Sequence, residues 1–288
     1  MAEADPARPW IATRLRGGEL ALRVCSALVL APLAVAVAYL GGWPFVIFWG
    51  LAALIVLWEW TSLVAAADRR SLLMTGAASL VLALALAGSG RFTGAIIVIA
   101  MGTLAAAALA PAKQRGWAAA AVPYAGAIGI APVMLRSDSQ NGFEAIVFLF
   151  AIVWTTDIFA YFIGRAVGGP KLAPRFSPKK TWSGAIGGAA AAAVAALVFA
   201  RTVGVPGLAA IAILGVALSV AAQAGDVFES ALKRRFGAKD SGRLIPGHGG
   251  LMDRLDGFVA AAVLAALISV FRDGFAAPAR GLLSWVSG

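Results

Sequence analysis

The stretch 228–256 combines side chains that could bind phosphate with side chains that could bind a metal ion. Lysine and arginine donate charged hydrogen bonds to phosphate. Glycines let backbone amides approach an anion closely, and Gly249 and Gly250 fall in this stretch. We expect His248, which stands between glycines, to hold the loop or a phosphate rather than a metal. The basic residues of the stretch include Lys233, Arg234, Lys239 and Arg254.

Carboxylates accompany these cations. Asp226 is expected to share a helical face with Gln223, Glu229 and Ser230, because their spacings are three and four residues. Asp253 and Asp256 stand three residues apart, which would bring both carboxylates to one side of a helix start. Oxygen ligands, with no cysteine nearby and a single histidine in the chain, favour Mg²⁺ or Mn²⁺ over zinc.

A second basic stretch, 165–183, holds five cations and no acid. Ser177 followed by Pro178 predicts a helix start, with serine as the N-cap and proline in the first turn. Lys179 and Lys180 would then oppose the helix dipole unless an anion binds there. A solvated basic face against lipid headgroups is the alternative for Lys171 and Arg175.

The composition identifies the elements that must position these groups. Of 288 residues, 61% are hydrophobic and 13% are charged, and the mean hydropathy is +0.86. A soluble domain is about 45–50% apolar and about 25% charged. The sequence therefore excludes a soluble enzyme and a disordered chain, and its single cysteine, Cys25, excludes a disulfide scaffold. We predict an all-α, polytopic integral membrane protein.

About nine segments are long and apolar enough to span a bilayer, which requires about 20 residues each. Placing the N-terminus in the cytoplasm puts 19 of the 24 lysines and arginines inside and 5 outside. The predicted spans are 24–40, 43–64, 72–88, 92–110, 117–135, 143–164, 184–202, 206–227 and 257–273.

Residues 1–288 are interpreted as one membrane-embedded domain, with a basic N-terminal segment at 1–23. The stretches 165–183 and 228–256 are predicted to be functional cytoplasmic loops. The basic residues behind the formal charge of +10 then set the membrane topology and concentrate in two anion-binding loops. The sequence has no nucleic-acid-binding motif that would explain the charge instead. Within the spans, the role of Asp157 stays open between a buried partner for an arginine and a site residue. The role of Glu59 stays open between an interface anchor and a site residue.

The stretch 230–256 resembles the signature of phosphatidate cytidylyltransferases (CDP-diacylglycerol synthases). The segment 177–182, Ser-Pro-Lys-Lys-Thr-Trp, is similar to a second motif of that family, whereas Ser183 stands where many members carry Glu or Gln. The fixed positions of the signature are filled by Ser230, Lys233, Arg234, Lys239, Asp240, Pro246, His248, Gly249, Gly250, Asp253, Arg254 and Asp256.

The resemblance implies condensation of CTP with phosphatidate to CDP-diacylglycerol and pyrophosphate. It implies Mg²⁺ or Mn²⁺ held by Asp226 and Asp253, with Asp256 beside them or at a second cation, and catalytic roles for Asp226, Asp253 and Lys239. No general base is assigned, because a phosphomonoester with a second pKa of about 6 is largely ionised at pH 7. The implied substrate-binding residues are Ser177, Lys179, Lys180, Thr181, Ser230, Lys233, Arg234, Asp240, His248, Gly249, Gly250 and Arg254.

The partners expected from the resemblance are the two substrates and membrane lipids, with a homodimer as a further candidate. The expected location is the bacterial inner membrane, with the active site facing the cytoplasm. Three alternatives are weaker. A CDP-alcohol phosphotransferase would carry Asp-Gly-x-x-Ala-Arg, which this sequence lacks, and a UbiA-type prenyltransferase would need two aspartate-rich motifs. A transporter could explain Asp157 and Asp226 as ion sites but leaves the long polar loop unexplained.

Overall fold

The computed structural model describes residues 29–64, 69–242 and 249–285. Within them the chain forms ten helices and one two-stranded hairpin. The elements are α1 (Val29–Leu40), α2 (Gly42–Val64), α3 (Arg69–Gly88), α4 (Phe92–Leu109), α5 (Arg115–Arg136), α6 (Gly142–Val167), β1 (Lys171–Ala173), β2 (Ser177–Thr181), α7 (Trp182–Val203), α8 (Leu208–Arg235), α9 (Met252–Asp273) and α10 (Pro278–Leu283).

Eight of the described helices, α2 to α9, are long and apolar enough to cross a membrane. They coincide with eight of the nine predicted spans, and the predicted all-α membrane fold is confirmed. The described part of the first predicted span is the shorter helix α1. The rest of that span and the basic segment 1–23 lie outside the described residues.

Helices α6 and α7 pack closely because glycines line their contact. A Cβ on Gly184 would lie 2.5 Å from the carbonyl oxygen of Ala160, and one on Gly188 would lie 2.8 Å from that of Thr156. Small residues let two helix backbones approach in a membrane, where van der Waals contact drives association. This contact fixes the start of α7, and with it the hairpin that joins α6 to α7.

Polar contacts inside the bundle set how α8 is rotated against its neighbours. The hydroxyl groups of Thr156 on α6 and Ser219 on α8 lie 2.8 Å apart, and both residues are fully buried. Gln223 donates to the carbonyl of Ala185 on α7 at 3.3 Å and to the Ser219 hydroxyl at 3.2 Å. Because Asp226 lies one turn beyond Gln223, these contacts hold it near α7 and the hairpin.

Helix α2 connects the first half of the chain to the second. Trp49 stacks on Phe258 of α9 with ring centroids 4.8 Å apart, and the indole nitrogen of Trp60 donates to the carbonyl of Trp117 at 2.8 Å. The second contact lies near the end of α2 and the start of α5. We call this end of the bundle, where α2, α6 and α8 end and α5, α7 and α9 begin, the site end.

The predicted helix start at Ser177 and Pro178 is wrong. Both residues belong to β2, which pairs antiparallel with β1 through Lys171 opposite Thr181 and Ala173 opposite Ser177. A residue before proline disfavours the helical region, and Pro178 itself suits an extended edge strand. The helix begins at Trp182, so Lys179 and Lys180 do not lie in its first turn and the dipole argument for them fails.

The two predicted loops are shorter than expected because the helices run past the apolar segments. Helix α6 continues to Val167, and α8 continues eight residues beyond the predicted span, to Arg235. Lys233 and Arg234 are therefore helical rather than loop residues. Basic side chains in the last turn of α8 favour this extension, because they complement the negative end of the helix dipole.

Candidate active site

The hairpin presents Lys180 to the bundle and caps the following helix. Successive residues of a strand point to opposite faces, and Lys179 is exposed whereas Lys180 is partly buried. Thr181, which is 5% exposed, accepts a hydrogen bond at its Oγ1 from the backbone amide of Gly184 at 3.2 Å. Thr181 is thus the N-cap of α7. Its predicted substrate contact stays a prediction, and its hydroxyl is already used by the fold.

The first polar cluster, the Asp226 cluster, comprises Asp157, Lys180, Asp226 and Asp256. Lys180 forms an ion pair with Asp226. The charges of Asp157 and Asp256 interact with both Asp226 and Lys180. Four elements, α6, β2, α8 and α9, therefore bring three carboxylates and one ammonium group together. A close approach of α8 to α9 supports the arrangement, since a Cβ on Gly225 would lie 2.5 Å from the carbonyl oxygen of Asp256.

The second cluster, the Asp253 cluster, comprises Glu229, Lys233, Ser241 and Asp253. Lys233 lies 2.6 Å from an Asp253 carboxylate oxygen and 2.7 Å from one of Glu229. Asp253 also accepts hydrogen bonds from the Ser241 hydroxyl at 3.0 Å and from the Gly250 amide at 2.8 Å. Both oxygens of Asp253 are therefore occupied, and its side chain is 8% exposed.

The two clusters adjoin along α8 and α9. Asp226, Glu229 and Lys233 follow each other at helical spacing on α8, and the charge of Asp256 acts on Glu229. The sequence predicts Asp253 and Asp256 on one side of the helix start. The structure puts both at the site end but gives them different surroundings: Asp253 pairs with Lys233, and Asp256 interacts with Asp226 and Asp157.

The carboxylates of the two clusters supply the hard-oxygen donors that a divalent cation prefers. Within residues 29–64, 69–242 and 249–285, no group of three or more His, Cys, Asp or Glu side chains is arranged to hold a metal ion by itself. Mg²⁺ usually takes one or two carboxylates together with substrate phosphates and water. Asp226 and Asp256, from separate helices and close enough for their charges to interact, fit that pattern.

The other predicted site residues lie around these clusters. Ser177 is partly buried on β2, and Ser230 is partly buried on α8, one turn beyond Asp226. Arg234 donates to the carbonyl of Ala238 at 3.2 Å, and Arg254 is exposed on α9. Gly249 has φ of +83°, a conformation that glycine adopts without strain. His248 lies outside the described residues, as does Pro246.

Lys239 and Asp240 are exposed in the turn after α8. Neither makes an ion pair or a side-chain hydrogen bond with any residue that the structure describes. The structure therefore does not bring Lys239, which the resemblance assigns to catalysis, into either cluster. A lysine that approaches the site only when substrate is bound would also be exposed and unpaired in this way. The assignment of Lys239 to catalysis stays a prediction.

Sequence reasoning assigned no site role to Ser241 and Glu229 and left the role of Glu59 open. Ser241 lies inside the signature stretch but fills no fixed position, and Glu229 was noted only as part of a polar helix face. Glu59 is fully buried on α2 and accepts hydrogen bonds from the amides of Leu251 and Met252, both at 2.8 Å. Its only signal in the sequence is an acid within an apolar span, which is costly and usually functional.

Comparison with known proteins identifies the family of this chain. A model of the cytidylyltransferase family matches residues 21–271. The phosphatidate cytidylyltransferase of Brucella abortus biovar 1 is 47% identical over 270 residues, which cover 90% of this chain and 95% of that relative. Those of Haemophilus influenzae and Bacillus subtilis are 44% and 41% identical over 129 and 128 residues, covering 43% and 44% of this chain and 45% and 48% of the relatives. The resemblance found in the signature is thereby confirmed, and the chain belongs to the cytidylyltransferase family of nucleotidyltransferases.

Proposed function

We propose that this protein transfers a cytidylyl group from CTP to phosphatidate, giving CDP-diacylglycerol and pyrophosphate. The observation that carries the proposal is the Lys180–Asp226 ion pair beside Asp256, because it joins a phosphate-binding group to two hard-oxygen donors at one point. The Brucella abortus relative, of which this chain covers 95%, is named phosphatidate cytidylyltransferase. A transporter does not need phosphate-binding cations and carboxylates assembled in this way.

The proposed reaction is an in-line displacement at the α-phosphorus of CTP. An oxygen of the lipid phosphate forms the new P–O bond, and the bond between the α-phosphorus and the oxygen bridging to the β-phosphorus breaks. Pyrophosphate leaves with that electron pair. Since the lipid phosphate is largely ionised at pH 7, no side chain has to remove a proton from it. Catalysis then depends on positioning and on neutralising phosphate charge.

In this proposal Asp226 and Asp256 hold Mg²⁺ or Mn²⁺, with Asp157 as a nearby acid. A bound divalent cation supplies positive charge to the triphosphate and so reduces its repulsion of the incoming lipid phosphate. Asp253 is assigned beside them, either as a further ligand or as the group that fixes Lys233. Its contacts with Lys233, Ser241 and Gly250 favour the second role.

The remaining cations are assigned to phosphate binding. Lys180 would be available to a phosphate if Asp226 held the cation. Lys233 lies one turn beyond Glu229 on the same helix. We assign the surrounding exposed or partly buried polar groups to the two substrates on the basis of the family signature. They are Ser177, Lys179, Ser230, Arg234, Lys239, Asp240, His248, Gly249, Gly250 and Arg254.

We further propose that the site end faces the cytoplasm of a bacterial cell, in the inner membrane. CTP is made in the cytosol, whereas the phosphate of phosphatidate lies at the membrane interface. The basic residues of the sequence support this orientation, because 19 of 24 fall on the same side as the two polar stretches. An active site at the cytoplasmic end of the helix bundle would therefore be accessible both to CTP from the cytosol and to phosphatidate at the membrane interface.

The test is conversion of radiolabelled CTP by the purified protein in mixed micelles that contain phosphatidate and Mg²⁺ or Mn²⁺. We expect a CDP-lipid that forms only when both substrates are present. Parallel reactions offer the substrates of the rival functions, CDP-diacylglycerol with an alcohol acceptor and a prenyl diphosphate with an aromatic acceptor. Failure to form a CDP-lipid with either metal, or turnover of a rival pair alone, would refute the proposal.

A further inference from the structure

The carboxylate of Glu59 on α2 contacts Ser241 of the signature stretch, 182 positions later in the sequence. Glu59 is 0% exposed and accepts from the amides of Leu251 and Met252 at 2.8 Å and from the Ser241 hydroxyl at 3.2 Å. No lysine or arginine in the described ranges forms an ion pair with it. Burying a carboxylate is costly unless it is hydrogen-bonded, so these three donors hold it in place. The positive end of the α9 dipole adds to their effect.

Two glycines next to Glu59 lie too close to its carboxylate to be replaced by a residue with a side chain. A Cβ on Gly242 would lie 2.8 Å from Glu59 Oε1, and one on Gly250 would lie 2.7 Å from the same atom. Both distances are shorter than real Cβ contacts. The absence of a side chain at Gly242 and Gly250 therefore allows the backbone at these two positions to lie against the carboxylate.

Ser241 links Glu59 to Asp253. Its hydroxyl lies 3.2 Å from Glu59 Oε2 and 3.0 Å from Asp253 Oδ2, and its backbone amide also donates to Asp253 at 3.0 Å. A hydroxyl has one hydrogen and can donate it to only one carboxylate at a time. Glu59 thus offers the Ser241 hydroxyl a second acceptor without any backbone movement, while the amides of Ser241 and Gly250 continue to donate to Asp253 Oδ2.

We propose that Glu59 is a positioning residue for the reaction: through Ser241 and the first amides of α9, it holds Asp253 in register with Lys233. The inference rests on the proposed function, because the role of Asp253 in the site is assigned there. It extends the active site to α2, which lies outside the hairpin and the signature stretch. Glu59 itself touches neither substrate.

The first test measures hydrogen exchange of the amides in 249–255, which does not depend on activity. Glu59→Gln keeps the shape but replaces one acceptor oxygen with an NH₂ donor, which then faces a backbone N–H. We expect exchange at Leu251 and Met252 to accelerate at least tenfold, while α6 and α7 are unchanged. The matched control is Glu144→Gln on α6, where one buried oxygen has no hydrogen-bond partner. Unchanged exchange at Leu251 and Met252 would overturn the proposal.

The second test is a double-mutant cycle between Glu59→Gln and Ser241→Ala, measured as kcat for CDP-lipid formation. If Glu59 acts through Ser241, each variant loses at least tenfold, and the double variant loses no more than the worse single variant. Losses that multiply would overturn the proposal, because the two residues would then act independently. Glu144→Gln should retain kcat within about twofold, which separates a positioning role from a general loss of buried charge.

If Glu59→Gln does not fold, Gly242→Ala replaces it in both tests, since its Cβ would press on Glu59 Oε1. The two measurements also separate this inference from the proposed function. A wild-type protein that forms no CDP-lipid would refute the function, whereas the exchange experiment would still decide whether Glu59 holds the start of α9.

Discussion

Lys180 on the hairpin and Asp226 on α8 form an ion pair, although 46 positions separate them in the sequence. Sequence reasoning assigns these two residues to opposite partners, Lys180 to phosphate and Asp226 to a metal ion. In the ion pair each side chain neutralises the charge of the other. A metal ion at Asp226 or a phosphate at Lys180 would therefore have to compete with this ion pair.

Replacing either member of this pair should affect activity far more than folding. The side chains are 28% and 31% exposed, and ion pairs that solvent reaches contribute about 0–1 kcal/mol to stability. We expect Lys180→Met and Asp226→Asn to lower kcat at least 100-fold with little change in thermal unfolding in micelles. Lys113→Met, in the exposed connection between α4 and α5, is the control. Retained kcat in either site variant would remove that residue from the reaction.

Asp253→Asn should abolish turnover and leave an inserted, folded protein. Asparagine keeps one oxygen for the Ser241 and Gly250 donors but no longer carries the charge that pairs with Lys233. Glu229 still pairs with Lys233 at 2.7 Å, so the lysine is not left without a partner. Activity and unfolding are measured on the same preparation. Asp273→Asn, at the other end of α9, is the control and should behave as wild type; near-normal turnover in Asp253→Asn would contradict the site.

Thr181→Ala should destabilise the start of α7. It removes the hydroxyl that accepts from the Gly184 amide, and loss of an N-cap side chain costs about 0.5–2 kcal/mol. Thr181→Ser keeps this acceptor and should restore most of the stability, as measured by unfolding in mixed micelles. If both variants unfold like wild type while kcat falls in Thr181→Ala, the hydroxyl serves the substrate and the capping assignment is wrong.

Alanine at Gly184 or Gly188 should separate α6 from α7. The new Cβ would meet the carbonyl oxygens of Ala160 or Thr156 at 2.5 and 2.8 Å, and overpacking of this kind costs about 1–3 kcal/mol. Because the same contact supports the hairpin, kcat should fall together with stability. Gly116→Ala is the matched control, since a Cβ there meets nothing within 4 Å. Equal stability of the three variants would contradict the close packing.

Hydropathy predicts most of this fold, because a spanning helix needs a long apolar segment and a bilayer imposes its length. The ends of the helices escape that argument. Lys233 and Arg234 are too polar to belong to a span, yet they continue α8 beyond it. The segment at Ser177 and Pro178 suits a helix start or an edge strand equally well by local preference, and pairing with β1 decides between them.

The site could be predicted in its residue types but not in its contacts. Asp226, Asp253 and the cations stand out because charged groups are rare in this chain, and their spacing matches a family signature. The link between Glu59 and the amides of Leu251 and Met252 depends on how α2 packs against α9, which no local pattern encodes. The role of Glu59 therefore stays open in the sequence, and Ser241 is missed. The separation of Asp253 from Asp256 into two clusters is missed as well.

The measurement that tests the central claim most directly follows the label from CTP carrying ³²P at either the α- or the γ-phosphate. Purified protein in micelles with phosphatidate and Mg²⁺ should transfer the α-label to the lipid and release the γ-label as pyrophosphate, in equal amounts. A γ-label on the lipid would indicate kinase chemistry instead. That result, or release of pyrophosphate with no labelled lipid, would contradict attack of the lipid phosphate on the α-phosphorus.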